Sequence, residues 1–228
     1  NDPVIFLEYA VDTARACRAA GIRTVAVTAG YIGEAARVEF FQHMDAANVD
    51  LKAFTERFYR EVCGSHLQPV LDTLVYIKRH TRTWLELTTL LIPGENDAPE
   101  EIDAMTHWVV EHLGPDVPMH FTAFHPDWKM TDKPSTPPAT LIRAREIARK
   151  NGVRFAYTGN VRDPAGNSTW CPQCAALLIE RDGYRIGRWG LDDHGACRQC
   201  GTAIPGVFDP EPGRFGARRI PVRISQAA

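Results

Sequence analysis

The sequence predicts an α/β fold with parallel strands, followed by a small four-cysteine metal-binding segment. Segments with helical and strand-like patterning alternate five times over the first 157 residues, as in parallel strands joined by right-handed crossovers. Polar or conformationally special residues recur where each strand ends. Two Cys-x2-Cys pairs, Cys171/Cys174 and Cys197/Cys200, stand 22 residues apart near the end of the chain. A barrel and a doubly wound sheet both fit the alternation. No Gly-x-Gly-x-x-Gly or P-loop signature is present, which weighs against a nucleotide-binding open sheet.

The elements follow in order. Asp2 is placed to cap a helix whose first position is Pro3, and that helix, over about residues 3–20, stops at Gly21. A helix that starts so abruptly should follow a strand, and the chain does not open with methionine. Residue 1 is therefore expected to lie inside a longer protein. Ile22 to Thr28 reads as a buried strand, 33–46 as a helix and Ala47 to Leu51 as a short strand. Helices near 55–63 and 67–80 are broken at Gly64. Thr83 to Ile92 is the clearest strand, rich in β-branched and aromatic residues. Asp97 and Pro99 begin a helix that runs to Gly114. Pro118 to Phe124 is a strand, 139–151 a helix, and Val153 to Thr158 the last strand.

Composition sets the limits. A chain of 228 residues with 44% hydrophobic and 24% charged residues suits one medium-sized soluble domain with an appendage. Residues 1–160 are expected to form the α/β domain, 165–208 the four-cysteine segment and 209–228 a tail. The net charge of −2 marks no surface for nucleic acid or anionic lipid. No apolar run approaches the ~18 residues of a membrane span, and no secretory signal is present, so a cytoplasmic protein is expected.

Of the six cysteines, Cys17 and Cys63 sit alone in helical patterns and read as small core residues. The other four form tight pairs. In a chain without a secretory signal this spacing favours metal over disulfides. Two turns, each aiming two sulfurs at one ion, complete a tetrahedron, so zinc at Cys171, Cys174, Cys197 and Cys200 is the expectation. An iron–sulfur centre is the alternative, since four thiolates also suit a cluster.

α/β folds place their chemistry at the carboxyl ends of the strands. Those ends carry Asn1-Asp2, Thr28-Ala29-Gly30-Tyr31, Asp50 with Lys52, Pro93 to Asp97, His125-Pro126-Asp127 and Thr158-Gly159-Asn160, which together look like a barrel mouth. On a strand, Asp50 and Lys52 share a face while Leu51 points away, so a carboxylate and an ammonium could both touch a zwitterionic ligand. An ordinary ion pair is the competing reading. His125 can hydrogen-bond a ligand or simply occupy a turn. The remaining histidines, His120 among them, show no ligand spacing and read as surface or core residues, and Trp84 and Trp108 fit core positions.

The runs Asn1-Asp2-Pro3, Val49-Asp50-Leu51-Lys52-Ala53-Phe54 and Leu91-Ile92-Pro93-Gly94-Glu95-Asn96-Asp97 resemble the radical SAM enzymes related to glycyl-radical (pyruvate formate-lyase) activating enzymes. Ala26 to Tyr31, His43 to Asp50 and His120 to Asp127, with the four-cysteine segment, are similar to the radical SAM component of the AmmeMemoRadiSam system. The resemblance covers nearly the whole chain apart from the last dozen or so residues.

The resemblance implies a partial (β/α) barrel of the radical SAM type lacking its N-terminal units, with a zinc-ribbon-like segment appended. It implies a [4Fe-4S] cluster and S-adenosylmethionine, cleaved reductively to a 5′-deoxyadenosyl radical that takes hydrogen from a substrate. Asn1, Thr28, Asp50, Lys52 and His125 would face that cofactor or the substrate. A partner protein, either a protein substrate or a component of the AmmeMemoRadiSam system, and an external electron donor are implied as partners. Membrane and nucleic acid are not expected partners.

The chain departs from the family in two respects. It has no Cys-x3-Cys-x2-Cys set to hold the cluster, so the ligands are expected upstream and this polypeptide alone is expected to be inactive. It also carries Ala29 where relatives often have Asn. The competing function is a zinc-ribbon module that binds protein or nucleic acid, carried on a barrel without radical chemistry. The Arg181, Arg185 and Arg188 charges of that region are offset by Glu180, Asp182, Asp192 and Asp193, which weighs against nucleic acid.

Overall fold

The computed structural model describes residues 2–213, 216 and 218. The chain divides into two compact units, residues 1–161 and 162–228.

In the larger unit, five strands form one sheet: β1 (Val25–Thr28), β2 (Ala46–Asp50), β3 (Trp84–Leu91), β4 (Met119–Ala123) and β5 (Ala156–Gly159). They pair in sequential order, all parallel. The connecting helices are α1 (Leu7–Ala19), α2 (Glu34–Phe41), α3 (Glu56–Phe58), α4 (Leu67–His80), α5 (Pro99–Leu113) and α6 (Pro138–Lys150). A 3-10 turn, Pro3–Phe6, leads into α1, and α3 continues through a π-helical turn, Tyr59–Cys63. Sequential parallel order with right-handed crossovers puts every helix on the same face of the sheet. The result is a partial (β/α) barrel.

The strands carry a period-2 burial pattern. Ala47 and Val49, Leu85, Leu87 and Leu91, and Met119 and Phe121 are buried on the helix-covered face. The helices answer at period 3.6, with Val70, Leu74 and Ile77 on α4, Ile102, Met105 and Val109 on α5, and Leu141, Ala144 and Ala148 on α6. Each large aliphatic side chain buried this way stabilises by about 1.5–3 kcal/mol.

The observed elements differ from the expected ones mainly at their ends. The first strand begins at Val25, not Ile22, because the backbone at Thr24 is engaged by Asp45: the Thr24 N–H donates to the Asp45 carboxylate at 2.8 Å, and the Thr24 carbonyl accepts from the Asp45 N–H at 3.0 Å. The last strand is shifted to Ala156–Gly159, and the second helix ends at Phe41. Cys17 and Cys63 are half-buried.

The smaller unit contains a short helix α7 (Pro164–Asn167) and an antiparallel sheet of β6 (Thr169–Trp170), β7 (Leu177–Asp182) and β8 (Arg185–Trp189). Among the described residues, no helix is long and apolar enough to cross a membrane. Most of the tail expected over 209–228 lies outside the described residues.

Candidate functional site

The other face of the larger sheet carries the polar side chains. Register places Asn48 beside Glu86, and Asp50 beside Thr88, which in turn lies beside His120, itself beside Tyr157. All alternate with buried neighbours on their own strands, so all share one face. The Thr88 hydroxyl donates to Asn48 Oδ1 at 2.8 Å. Glu86 accepts from the Trp84 indole N–H at 3.0 Å through Oε1 and meets His120 Nε2 at 2.8 Å through Oε2. The His120 ring stacks on Tyr157, with centroids 5.1 Å apart.

At the carboxyl end of β2, Lys52 Nζ donates to Asp50 Oδ2 at 2.8 Å, and both side chains remain about one-third exposed. The backbone that presents them is held at successive positions. The Leu51 carbonyl accepts from the buried Thr89 hydroxyl at 2.8 Å, and the Lys52 N–H donates to the Tyr59 hydroxyl at 3.2 Å. The Lys52 carbonyl accepts from Asn96 Nδ2 at 2.6 Å, and the Phe54 N–H donates to Glu101 at 2.7 Å. Burial pushes the Tyr59 hydroxyl and the Glu101 carboxyl above their ordinary pKa values, so Tyr59 stays neutral beside the pair.

The loop after β3 supplies this bracing. Asn96 is fully buried; its Oδ1 accepts from the Ile92 N–H at 2.7 Å and its Nδ2 also donates to the Leu90 carbonyl at 2.9 Å. The Asp97 carboxylate closes a turn on the Gly94 N–H at 2.8 Å. Glu95 binds Lys133 Nζ at 2.7 Å and Arg57 at 3.3 Å, and the Lys133 hydrogen bond, ahead of Arg57, holds its carboxyl below the usual range.

The sequence-predicted residues fall in different places. Asp50 and Lys52 form one pair at the rim. Thr28 is buried on the helix-covered side; its hydroxyl donates to Asp2 Oδ1 at 2.8 Å, and the Ala29 N–H donates to Asp2 Oδ2 at 2.7 Å. Asp2 also caps the first turn through the Val4 N–H at 3.1 Å. His125 follows β4, is three-quarters exposed and faces Asp127 at 3.2 Å. Among the described residues, no hydrogen bond or ion pair joins it to Asp50 or Lys52. Asn1 lies outside the described residues.

Glu86 and His120 escaped the sequence reading because their meeting depends on strand register across 34 residues. The available signal was the alternation Trp84-x-Glu86-x-Thr88 and His120-x-Thr122, which puts polar groups on the face opposite the leucines. Trp84, expected in the core, is half-buried on that face because its N–H has an acceptor there. A cavity of about 220 Å³ lies at the opposite end of β3, lined by Lys78, Arg82, Trp84 and Asp116 among others, away from the strand ends where chemistry is expected.

In the smaller unit the four cysteine sulfurs lie within 4.8 Å of one another. Cys171 Sγ is 3.6 Å from Cys200 Sγ, and Cys174 Sγ is 3.7 Å from Cys197 Sγ. Each knuckle is a tight turn: the Ala175 N–H donates to the Cys171 carbonyl at 3.0 Å and the Gly201 N–H to the Cys197 carbonyl at 2.8 Å. Residues Ala175 and Gly201 adopt positive φ, at 57° and 73°. A single ion with metal–sulfur bonds of 2.3 Å has sulfur–sulfur edges of about 3.8 Å. The group is placed to hold one metal ion.

Five sequential parallel strands with helices on one face and a polar rim at the carboxyl ends give the larger unit the fold found in radical SAM enzymes. Solved structures with a similar fold include a domain of pyruvate-formate lyase-activating enzyme from Bacteroides vulgatus, with a TM-score of 0.62 at 15% identity, covering 70% of this chain and 95% of that one. A radical SAM methyltransferase from Sphaerobacter thermophilus matches with a TM-score of 0.56 at 13% identity, covering 69% and 48%. SuiB from Streptococcus suis matches with a TM-score of 0.53 at 13% identity, covering 65% and 35%. In sequence, the chain is 38% identical over 205 residues to the uncharacterized protein MJ0808 of Methanocaldococcus jannaschii. That alignment covers 90% of this chain and 60% of the curated relative, so the chain spans about three-fifths of that protein's length. No protein-family model matches the chain.

Proposed function

We propose that the larger unit is the cofactor-binding part of a radical SAM enzyme, and that Asp50 and Lys52 receive the methionyl end of S-adenosylmethionine. The observation that carries this reading is the 2.8 Å Asp50–Lys52 pair on a backbone held by Thr89, Tyr59, Asn96 and Glu101. A carboxylate facing an ammonium, both partly open to solvent, can exchange their mutual contact for the α-amino and α-carboxylate groups of an amino-acid ligand. Fixed backbone reduces the ordering cost of that exchange. The donor set therefore fits the methionyl group.

The chain's own cysteines do not fit a four-iron cluster. None of the six has the Cys-x3-Cys-x2-Cys spacing, and the four that converge stand as close as ligands sharing one ion. Thiolates capping four different irons must stand further apart. In this reading the cluster is held by residues outside the sequence in hand, and the converged cysteines hold zinc. One-electron reductive cleavage of S-adenosylmethionine is the chemistry that cofactor and cluster supply when bound. This chain's residues orient the cofactor and screen it from water. The substrate is proposed to be a partner protein, supported by the fold likeness to an activating enzyme and by the sequence resemblance to the AmmeMemoRadiSam component.

The test is product analysis on protein made from the complete reading frame, reconstituted anaerobically with iron and sulfide and given dithionite and S-adenosylmethionine. Formation of 5′-deoxyadenosine and methionine, reduced by Lys52→Ala, is expected. A reading frame without Cys-x3-Cys-x2-Cys, or turnover indifferent to Lys52, would overturn the reading.

A further inference from the structure

The amino ends of the five parallel strands, and the carboxyl ends of the helices that lead into them, share one end of the barrel, opposite the rim that carries Asp50 and Lys52. The last helical turns and loops at this end, residues 16–24, 38–45, 77–83, 110–118 and 147–155, hold eight arginines and lysines against four carboxylates. The chain as a whole stands at −2, so its overall charge conceals a basic face. Two of the eight cations are neutralised: Arg18 faces Asp45 at 3.6 Å, and Arg154 donates to Asp116 at 3.0 Å. Arg23, Lys78, Arg79, Arg82, Arg149 and Lys150 are exposed, and among the described residues none of their side chains has a hydrogen-bond or ion-pair partner.

Cations in a last helical turn offset the free carbonyls there, which accounts for Lys78, Arg79, Arg149 and Lys150. It does not account for Arg23 or Arg82, which lie outside the helices. Lys78 and Arg82 line the cavity of about 220 Å³, together with the buried Leu85 and Val117 and the half-buried Trp84. The polar groups of its wall are already engaged. The Thr81 hydroxyl donates to the Ile77 carbonyl at 2.7 Å and accepts from the Thr83 N–H at 3.2 Å. The buried Thr83 hydroxyl lies 3.0 Å from the Phe41 and Met44 carbonyls, the Trp84 N–H serves Glu86, and Asp116 serves Arg154. A guest would therefore meet apolar surface and two uncommitted cations. The volume falls below the roughly 300–1,000 Å³ of small-molecule sites and suits one inserted side chain.

We propose that this end of the barrel docks an acidic segment of a partner protein. The stem of one glutamate lies in the cavity against Leu85, Val117 and Trp84, and its carboxylate meets Lys78 and Arg82. Asp45, Glu111 and Asp116 stand among the cations and would repel a phosphate backbone. No Phe, Tyr or Trp of these segments is among the exposed side chains, so nothing here stacks on bases. Ile22 is 57% exposed beside Arg23, an apolar contact that serves a protein surface and not a phosphate chain. The surplus positive charge speeds the encounter, and the cavity supplies the anchor that fixes its register. None of these residues lies at the rim, so docking here stands or falls apart from the radical SAM reading.

Fluorescence anisotropy of labelled hexaglutamate, titrated with the purified chain at low ionic strength, tests the surface. Binding that weakens as salt rises is expected, and the double variant Lys78→Glu with Arg82→Glu should weaken it about tenfold. Arg149→Glu with Lys150→Glu makes the same change of charge away from the cavity and should weaken it about threefold at most. All four side chains are exposed, and unchanged melting temperatures exclude a folding defect. Absence of hexaglutamate binding overturns the docking surface. Equal losses in the two double variants overturn it as well, since they would mean general attraction without a seat. Tighter binding of a labelled oligouridylate of the same charge, lost in the Lys78 and Arg82 double variant, would assign the face to nucleic acid and overturn the protein partner.

Discussion

The Asn96 side chain ties the Lys52 carbonyl, at 2.6 Å, to the end of β3 through the Leu90 carbonyl and the Ile92 N–H. One fully buried amide therefore fixes the position of Lys52 relative to the central strand. Truncating it removes the partner of the buried Ile92 N–H and of the partly buried Lys52 and Leu90 carbonyls.

Asn96→Ala is accordingly expected to cost about 3 kcal/mol of stability, since each orphaned buried group costs about 1–3 kcal/mol and local relaxation recovers part of the total. Urea denaturation should show the midpoint shift with little change in slope. The same variant should weaken methionine binding through Lys52, although Asn96 does not approach the ligand position. A loss below 1 kcal/mol would mean that water replaces the amide and that Asn96 does not set the loop.

How much of this was legible in the sequence depends on how local each interaction is. The contact between Asp50 and Lys52 spans two residues and follows from strand alternation alone. The capping role of Asp2 was visible for the same reason, but its grip on Thr28 and Ala29 was not, because it joins residues 26 and 27 positions apart. The cysteine knuckles were legible because the spacing itself encodes the turn. Glu86 and His120 were not, since a shift of one residue in the pairing of β3 with β4 would send His120 to the opposite face. The polar alternation was in the sequence; the register was not.

Glu56 is a pH probe for the turn between α3 and α4. It faces His66 Nδ1 at 2.6 Å, accepts from the Leu67 N–H at 3.0 Å and from Arg60 Nε at 3.0 Å. The His66 contact, then the Leu67 N–H, and to a lesser degree Arg60, hold its carboxyl down at about 2 from an ordinary 4.5. A carboxyl depressed by folding adds stability that is fully present above 4.5 and lost as pH falls towards 2. Thermal melts of Glu56→Gln should therefore fall less steeply than wild type between those values. Parallel curves would show that the contacts do not persist in solution.

The four-cysteine group predicts its own metal. Elemental analysis of the purified chain should give about one zinc and negligible iron, and Cys197→Ser, which removes a buried ligand, should lose the metal. Since metal binding and folding are coupled in sites of this kind, chelation should also weaken the near-ultraviolet circular dichroism of Trp170, next to Cys171, and of Trp189, between the two cysteine pairs. Iron and sulfide in stoichiometric amounts would instead mean a cluster, and the sulfur separations would have to widen.

Gly30 and Gly21 separate backbone strain from steric exclusion. Both have positive φ, at 68° and 74°, so an added Cβ strains either backbone by about 1–2 kcal/mol. At Gly21 the Cβ would meet nothing within 4 Å, whereas at Gly30 it would lie 2.7 Å from Val49 Cγ1. Val49 is fully buried one residue before Asp50, so it cannot yield without moving the rim of β2. Gly21→Ala should then cost about 1 kcal/mol and leave ligand binding unchanged, while Gly30→Ala should cost roughly 2–4 kcal/mol and disturb Asp50. Equal costs at the two positions, measured by denaturation, would mean that β2 can shift freely under the turn. The Asp50–Lys52 pair would then lack the rigid seat on which its proposed role depends.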